Sequence, residues 1–148
     1  MEAELFERHA DRPCLVDGGR TLTYSQTLAL GRRLTAGLPA RALVMLQCSL
    51  TAESVAAHAA LMADGHVPLL VEAELAGELA AALAAAYRPH AVIDPAAGTR
   101  EDGPGTELHG DLGLLLATSG STGSPKLVRH TARGMRANAG AIAEYLAI

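Results

Sequence analysis

Residues 42–94 read ALVMLQCSLTAESVAAHAALMADGHVPLLVEAELAGELAAALAAAYRPHAVID, and this stretch decides the fold. Apolar runs of strand length at 42–48, 67–71 and 91–94 alternate with longer alanine-rich segments, 51–64 and 73–87, that suit helices. The first helical segment is expected to begin at Thr51, and Asp64-Gly65 closes it. Strands separated by single helices are the sequence form of βαβ units, because parallel neighbours need a crossover connection. The expected class is therefore α/β, with layered βαβ units around a largely parallel sheet.

Working towards the N-terminus, Thr23-Tyr24-Ser25-Gln26 has the spacing of a capping box. It opens a helix in which Leu28, Leu30, Leu34 and Leu38 supply a mostly helical apolar pattern, which Pro39 is expected to stop. Before it, Cys14–Asp17 and Arg20–Thr23 flank Gly18-Gly19 as a β-hairpin, and the opening residues form a short helix. Towards the C-terminus, residues 94–111 carry Pro95, Gly98, Gly103, Pro104, Gly105 and Gly110 and read as one long polar loop. Leu112-Gly113-Leu114-Leu115-Leu116-Ala117 then reads as a strand buried on both faces. No fixed-period repeat is present.

The chain has 148 residues, which suits one domain that buries about 70% of its extended surface. Its hydrophobic content of 49% is largely alanine. No apolar run reaches the roughly 20 residues of a membrane span. The acidic start, Met1-Glu2-Ala3-Glu4, lacks the basic and apolar regions of a signal peptide, so a cytoplasmic setting without membrane contact is expected. Cys14 and Cys48 have neither disulfide-framework nor zinc spacing and are expected to be buried free thiols. A net charge of −4 with three tyrosines and one phenylalanine argues against nucleic acid as a partner.

The chemistry begins where the 112–117 strand stops: Thr118-Ser119-Gly120-Ser121-Thr122-Gly123-Ser124-Pro125-Lys126. Gly120 and Gly123 let the backbone approach a ligand so that successive N–H groups converge on an anion. The hydroxyls of Thr118, Ser119, Ser121, Thr122 and Ser124 add donors that rotate to suit phosphate oxygens. Lys126, the one lysine against eleven arginines, adds a mobile charge. At about 4 Å from a unit anion, with an effective dielectric near 20, that charge is worth about 4 kcal/mol before desolvation. A flexible linker is the bland alternative, but linkers do not interrupt two apolar segments, and Leu127-Val128 resumes directly after the lysine. The spacing excludes a Walker A loop, a dinucleotide fingerprint and a nucleophile elbow.

Leu115 to Lys126 resembles, position by position, the AMP-binding signature of the adenylate-forming superfamily, which includes acyl-CoA synthetases, nonribosomal peptide synthetase adenylation domains and luciferases. Leu127-Val128-Arg129-His130-Thr131 resembles the strand that follows that loop, Gly134 to Asn138 falls where the next helix begins, and Leu22-Thr23-Tyr24 resembles the entry to the first helix. The resemblance implies a two-step reaction: a carboxylate attacks the α-phosphorus of Mg·ATP to give an acyl-adenylate and pyrophosphate, and a thiol of CoA or a carrier protein usually then takes the acyl group. It implies that Thr118, Ser119, Gly120, Ser121, Thr122, Gly123 and Lys126 bind the β and γ phosphates, with Lys126 as the catalytic residue. Leu127 and Ala132 depart from positions where many members carry glycine and a second histidine.

The same resemblance implies that the adenine-binding segment, the magnesium-ligating glutamate, the ribose-binding aspartate, the acyl pocket and a mobile C-terminal domain lie downstream of the loop. The 148 residues are thus expected to form an N-terminal subdomain segment that is inactive alone and self-associates through apolar surface the rest would cover. The alternative is a noncatalytic phosphate-binding or interaction module of the same fold. None of the six histidines has metal-ligand spacing, and no metal site is expected. Arg129, Arg133 and Arg136 either add positive potential beside the loop or form a solvated face, which is the commoner arrangement.

Overall fold

A computed structural model describes residues 2–75, 77–117 and 127–147. The described elements run α1 (Glu2–Arg8), β1 (Pro13–Asp17), β2 (Arg20–Thr23), α2 (Tyr24–Thr35), β3 (Leu43–Cys48), α3 (Ala52–Ala63), β4 (Val67–Glu72), a single 3-10 turn (Ala73–Leu75), α4 (Glu78–Tyr87), β5 (Ala91–Asp94), β6 (Thr99–Asp102), β7 (Leu112–Ala117), β8 (Leu127–Thr131) and α5 (Ala132–Leu146). The first two strands form a separate antiparallel hairpin, and the other six form one sheet in the order β6-β5-β3-β4-β7-β8. β5, β3, β4 and β7 are mutually parallel, while β6 and β8 are antiparallel at the two edges. The α/β expectation with a largely parallel sheet holds.

The core follows from strand pleat. Leu43 and Met45 of β3 join Val67, Leu69, Leu115 and Leu83 on one face of the sheet, under α4. Val44 and Leu46 point the other way and join Ala57, Leu61 and Ile93 under α3. Both sides of β3 are buried, which is why its sequence is a continuous apolar run rather than an alternating one. α2 lies against α3 at very close range. A Cβ built at Gly31 would stand 2.0 Å from the Ala56 carbonyl oxygen and 2.8 Å from Ala60 Cβ.

Local signals behaved as expected at several ends. Thr23 caps α2 through the Gln26 N–H at 3.2 Å, and Gln26 returns a bond to the Thr23 N–H at 2.9 Å. Thr51 caps α3 through the Ser54 N–H, and Asp64 ends it. Other expectations need correction. α2 stops at Thr35, where Gly37 has φ of 75°, so Pro39 is not its terminator and Leu38 packs into the core from beyond the helix. The segment expected as one helix over 73–87 is a 3-10 turn followed by α4, because Gly77 has φ of 114° between them.

The expected loop over 94–111 contains β6, which runs back along β5 at the sheet edge. Its Thr-Arg-Glu-Asp sequence is polar on both faces, so hydrophobic periodicity could not reveal it; charged side chains are usual on edge strands. Arg100 ties it down, donating to the Leu34 and Ala36 carbonyls at the end of α2 at 3.3 and 2.6 Å. Cys14 is exposed rather than buried, because the hairpin stands outside the main sheet, whereas Cys48 is half-buried.

Candidate phosphate-binding edge

Because β3, β4, β5 and β7 are parallel, their carboxyl ends share one edge of the sheet, the edge at which open α/β sheets usually bind ligands. β3 ends there at Cys48, β4 at Glu72 directly opposite it, β5 at Asp94 and β7 at Ala117. Thr118, Ser119, Gly120, Ser121, Thr122, Gly123 and Lys126 lie outside the described residues. The residues that flank them are described. Ala117 and Leu127 are partners across the β7–β8 ladder at that same edge.

Several other groups there are occupied structurally. Asp94 Oδ1 accepts the Ala97 N–H at 3.0 Å, a turn closed by the aspartate itself. Ser49, Thr51 and Ser54 bond among themselves and to the first backbone groups of α3. Asp17, from the hairpin, accepts the Ala52 N–H at 3.0 Å, and Arg20 reaches Glu53 at 2.7 Å, so the hairpin is pinned to the start of α3. Burial pushes the Cys48 thiol pKa upward, which keeps it protonated and poor as a nucleophile. Among the described residues no three His, Cys, Asp or Glu side chains come together to hold a metal ion. No described helix is long and apolar enough to cross a membrane.

Arg133 and Arg136 lie away from the sheet edge at which Ala117 and Leu127 stand. β8 runs from Leu127 at the loop edge to Thr131 opposite Leu112, at the other end of β7. At about 3.4 Å per residue that is about 14 Å. Arg133 and Arg136, on the first turns of α5, line a shallow depression with Asp111 at that far end. Arg129 lies midway on β8, across from Leu115.

A groove of about 670 Å³ runs beside β7 and β8 on the α4 side, floored by Leu43, Leu112, Leu115 and Leu127 and edged by Tyr87 and Arg129. The sequence reading missed it, because in sequence these leucines are indistinguishable from closed core.

This architecture, a six-stranded, mostly parallel sheet flanked by helices, is the fold of the N-terminal part of adenylate-forming enzymes. No protein-family model matches the sequence, and no curated protein is significantly similar to it. Solved structures are similar in fold. The O-succinylbenzoate CoA synthetase of Bacillus subtilis in complex with AMP superposes with a TM-score of 0.76 at 18% identity, over 100% of this chain and 46% of that one. VinN in complex with 3-methylaspartate gives 0.74 at 17% identity, over 100% of this chain and 52% of that one. The N-terminal subdomain of Klebsiella oxytoca NpsA, in complex with 3-hydroxybenzoyl-AMSN, gives 0.62 at 24% identity, over 90% of this chain and 41% of that one. The chain spans about half, or less, of the length of these structures.

Proposed function

We propose that these residues supply the ATP phosphate-binding part of an AMP-forming, carboxylate-activating ligase acting in the cytoplasm. The observation that carries the reading is the match of Leu115 to Lys126 to the adenylate-forming signature in a chain whose whole length has that fold. In this reading the N–H groups around Gly120 and Gly123, the hydroxyls of Thr118, Ser119, Ser121 and Thr122, and the Lys126 ammonium hold the β and γ phosphates of Mg·ATP. A carboxylate oxygen bonds to the α-phosphorus while the bond to the bridging oxygen breaks and pyrophosphate leaves. A thiol of CoA or a carrier protein then attacks the acyl carbon and AMP departs. Holding the leaving phosphates is electrostatic work; aligning the carboxylate is positioning work, for which no group is described here, so the 148 residues alone are inactive.

The test is carboxylate-dependent ATP–pyrophosphate exchange over a panel of acids. It compares the 148-residue chain with a full-length enzyme that contains it, unaltered and with Lys126→Ala. Loss of one charge-assisted phosphate contact should slow exchange by about 30-fold to 1000-fold, equivalent to about 2 to 4 kcal/mol, with the order of acids unchanged. Robust exchange by the chain alone would refute the inactivity. An unchanged rate in Lys126→Ala, or a reordered acid preference, would refute the assignment of Lys126. Nucleotide binding with no carboxylate dependence in the longer protein would favour the noncatalytic module.

A further inference from the structure

The end of the sheet opposite the 118–126 segment is held together by imidazoles. The Ala42 N–H donates to His66 Nδ1 at 3.1 Å, and the next residue, Leu43, donates to His90 Nδ1 at 3.0 Å. The His90 N–H returns a bond to the Leu43 carbonyl at 2.7 Å. Both donors are buried at the start of β3, so water does not replace these acceptors. His90 also anchors the chain that leads to β7. Its carbonyl accepts the Gly103 N–H at 2.9 Å, Gly105 N–H reaches the Pro89 carbonyl at 3.2 Å, and the ring lies so near Gly105 that a Cβ there would stand 2.5 Å from Nε2. Arg41, with φ of 55°, completes the junction by donating to the His109 and Leu112 carbonyls at 2.9 and 2.6 Å.

A ring nitrogen that accepts from an N–H carries no proton, so this geometry requires His66 and His90 to be neutral with the proton on Nε2. Protonating Nδ1 sets two N–H groups against each other and strips a buried backbone donor of its acceptor. The charged groups around the pair do not prevent this. His66 faces Asp64, which favours the charged ring, but burial and the neighbouring His90 outweigh it and hold the pKa below the ordinary histidine value. Asp64 itself is engaged by Arg32 through both guanidinium Nε and Nη2. His90 shares a shallow cavity with Arg41 and Glu107. His109, whose carbonyl Arg41 holds, accepts the Asp111 N–H through its own Nδ1 at 3.3 Å.

We propose that His66 and His90 form an acid-sensitive latch at the start of β3: protonation takes the acceptors from the Ala42 and Leu43 N–H groups and, through the His90 ring packed against Gly105, loosens the 103–105 backbone contacts while the sheet core stays folded. The latch depends only on this junction and is independent of the proposed ligase function.

Amide-exchange protection factors measured by NMR on the 148-residue chain, from about pH 7.5 to about pH 5, test it within the histidine range. Long-range proton–nitrogen spectra should show Nε2–H tautomers for both rings at the upper pH. On acidification the amides of Ala42, Leu43, Gly103 and Gly105 should lose about tenfold more protection than those of Leu46 and Leu69. His66→Asn and His90→Asn, whose amide oxygen replaces the Nδ1 acceptor without titrating, should each abolish the pH dependence at their own contact. Uniform loss of protection across the sheet, an Nδ1–H tautomer in either ring, or an unaltered pH dependence in the variants would overturn the proposal. If a variant does not fold, the wild-type tautomers and exchange pattern decide.

Discussion

Gly31→Ala tests the α2–α3 packing most sharply, because two effects of known size oppose each other. The added methyl would sit 2.0 Å from Ala56 O and 2.5 Å from Ala56 C, and both belong to backbone that cannot rotate away. An ordinary carbon–oxygen approach is about 3.3 Å, so α3 must retreat by over 1 Å, taking Ala56 and Ala60 with it. Retreat opens the layer that packs on Val44, Leu46 and Ile93. Overpacking of this severity costs about 3 kcal/mol, and the better helix propensity of alanine returns about 1, leaving a net loss of about 2 kcal/mol. For a chain of this size that lowers Tm by about 8 °C. Gly140→Ala is the control, since nothing lies within 4 Å of a Cβ at that position on α5. There only propensity acts, and stability should rise by up to about 1 kcal/mol. Urea denaturation of the two variants gives both values. If Gly31→Ala were neutral or stabilising, like Gly140→Ala, the close helix crossing would be wrong.

Two further outcomes follow from the same structure. His58 and His66 both have pKa values held below the ordinary 6.5, chiefly by burial, and His58 Nδ1 is buried without a hydrogen-bond partner. The unfolded chain therefore takes up these protons first, so stability is full above about pH 6.5 and falls below it until the folded-state pKa values are reached. The limiting slope is about 1.4 kcal/mol per pH unit for each group. Urea midpoints measured across this range should show that slope, and His58→Leu should remove its own share; a flat profile in the unaltered chain would contradict the burial argument. The second outcome concerns association. None of the described side chains of α5 is buried, and Val128, Ile142 and Leu146 expose large apolar surfaces. Light scattering should show self-association that grows with concentration, and Ile142→Glu should weaken it; a compact monomer at high concentration would count against it.

The local code carried the reading a long way. The alternation of apolar runs and alanine-rich segments over 42–94, the capping box at Thr23, and the continuous 112–117 run each identify their element from short-range chemistry alone, and the α/β class follows from their order. The proposed phosphate role of 118–126 rests on local chemistry too, on its own glycines, hydroxyls and lysine, and these residues lie outside the described structure. Tertiary structure decided what depends on partners distant in sequence. A polar edge strand such as β6 has no periodic signal and exists because β5 offers it a ladder. Cys14 is exposed because its hairpin lies outside the main sheet. Arg133 and Arg136 lie near Lys126 along the chain, but an extended strand turns sequence proximity into distance, and β8 carries them to the opposite end of β7. His66 and His90 meet β3 only because parallel strands bring their starts together, a juxtaposition set by strand order rather than by residue spacing.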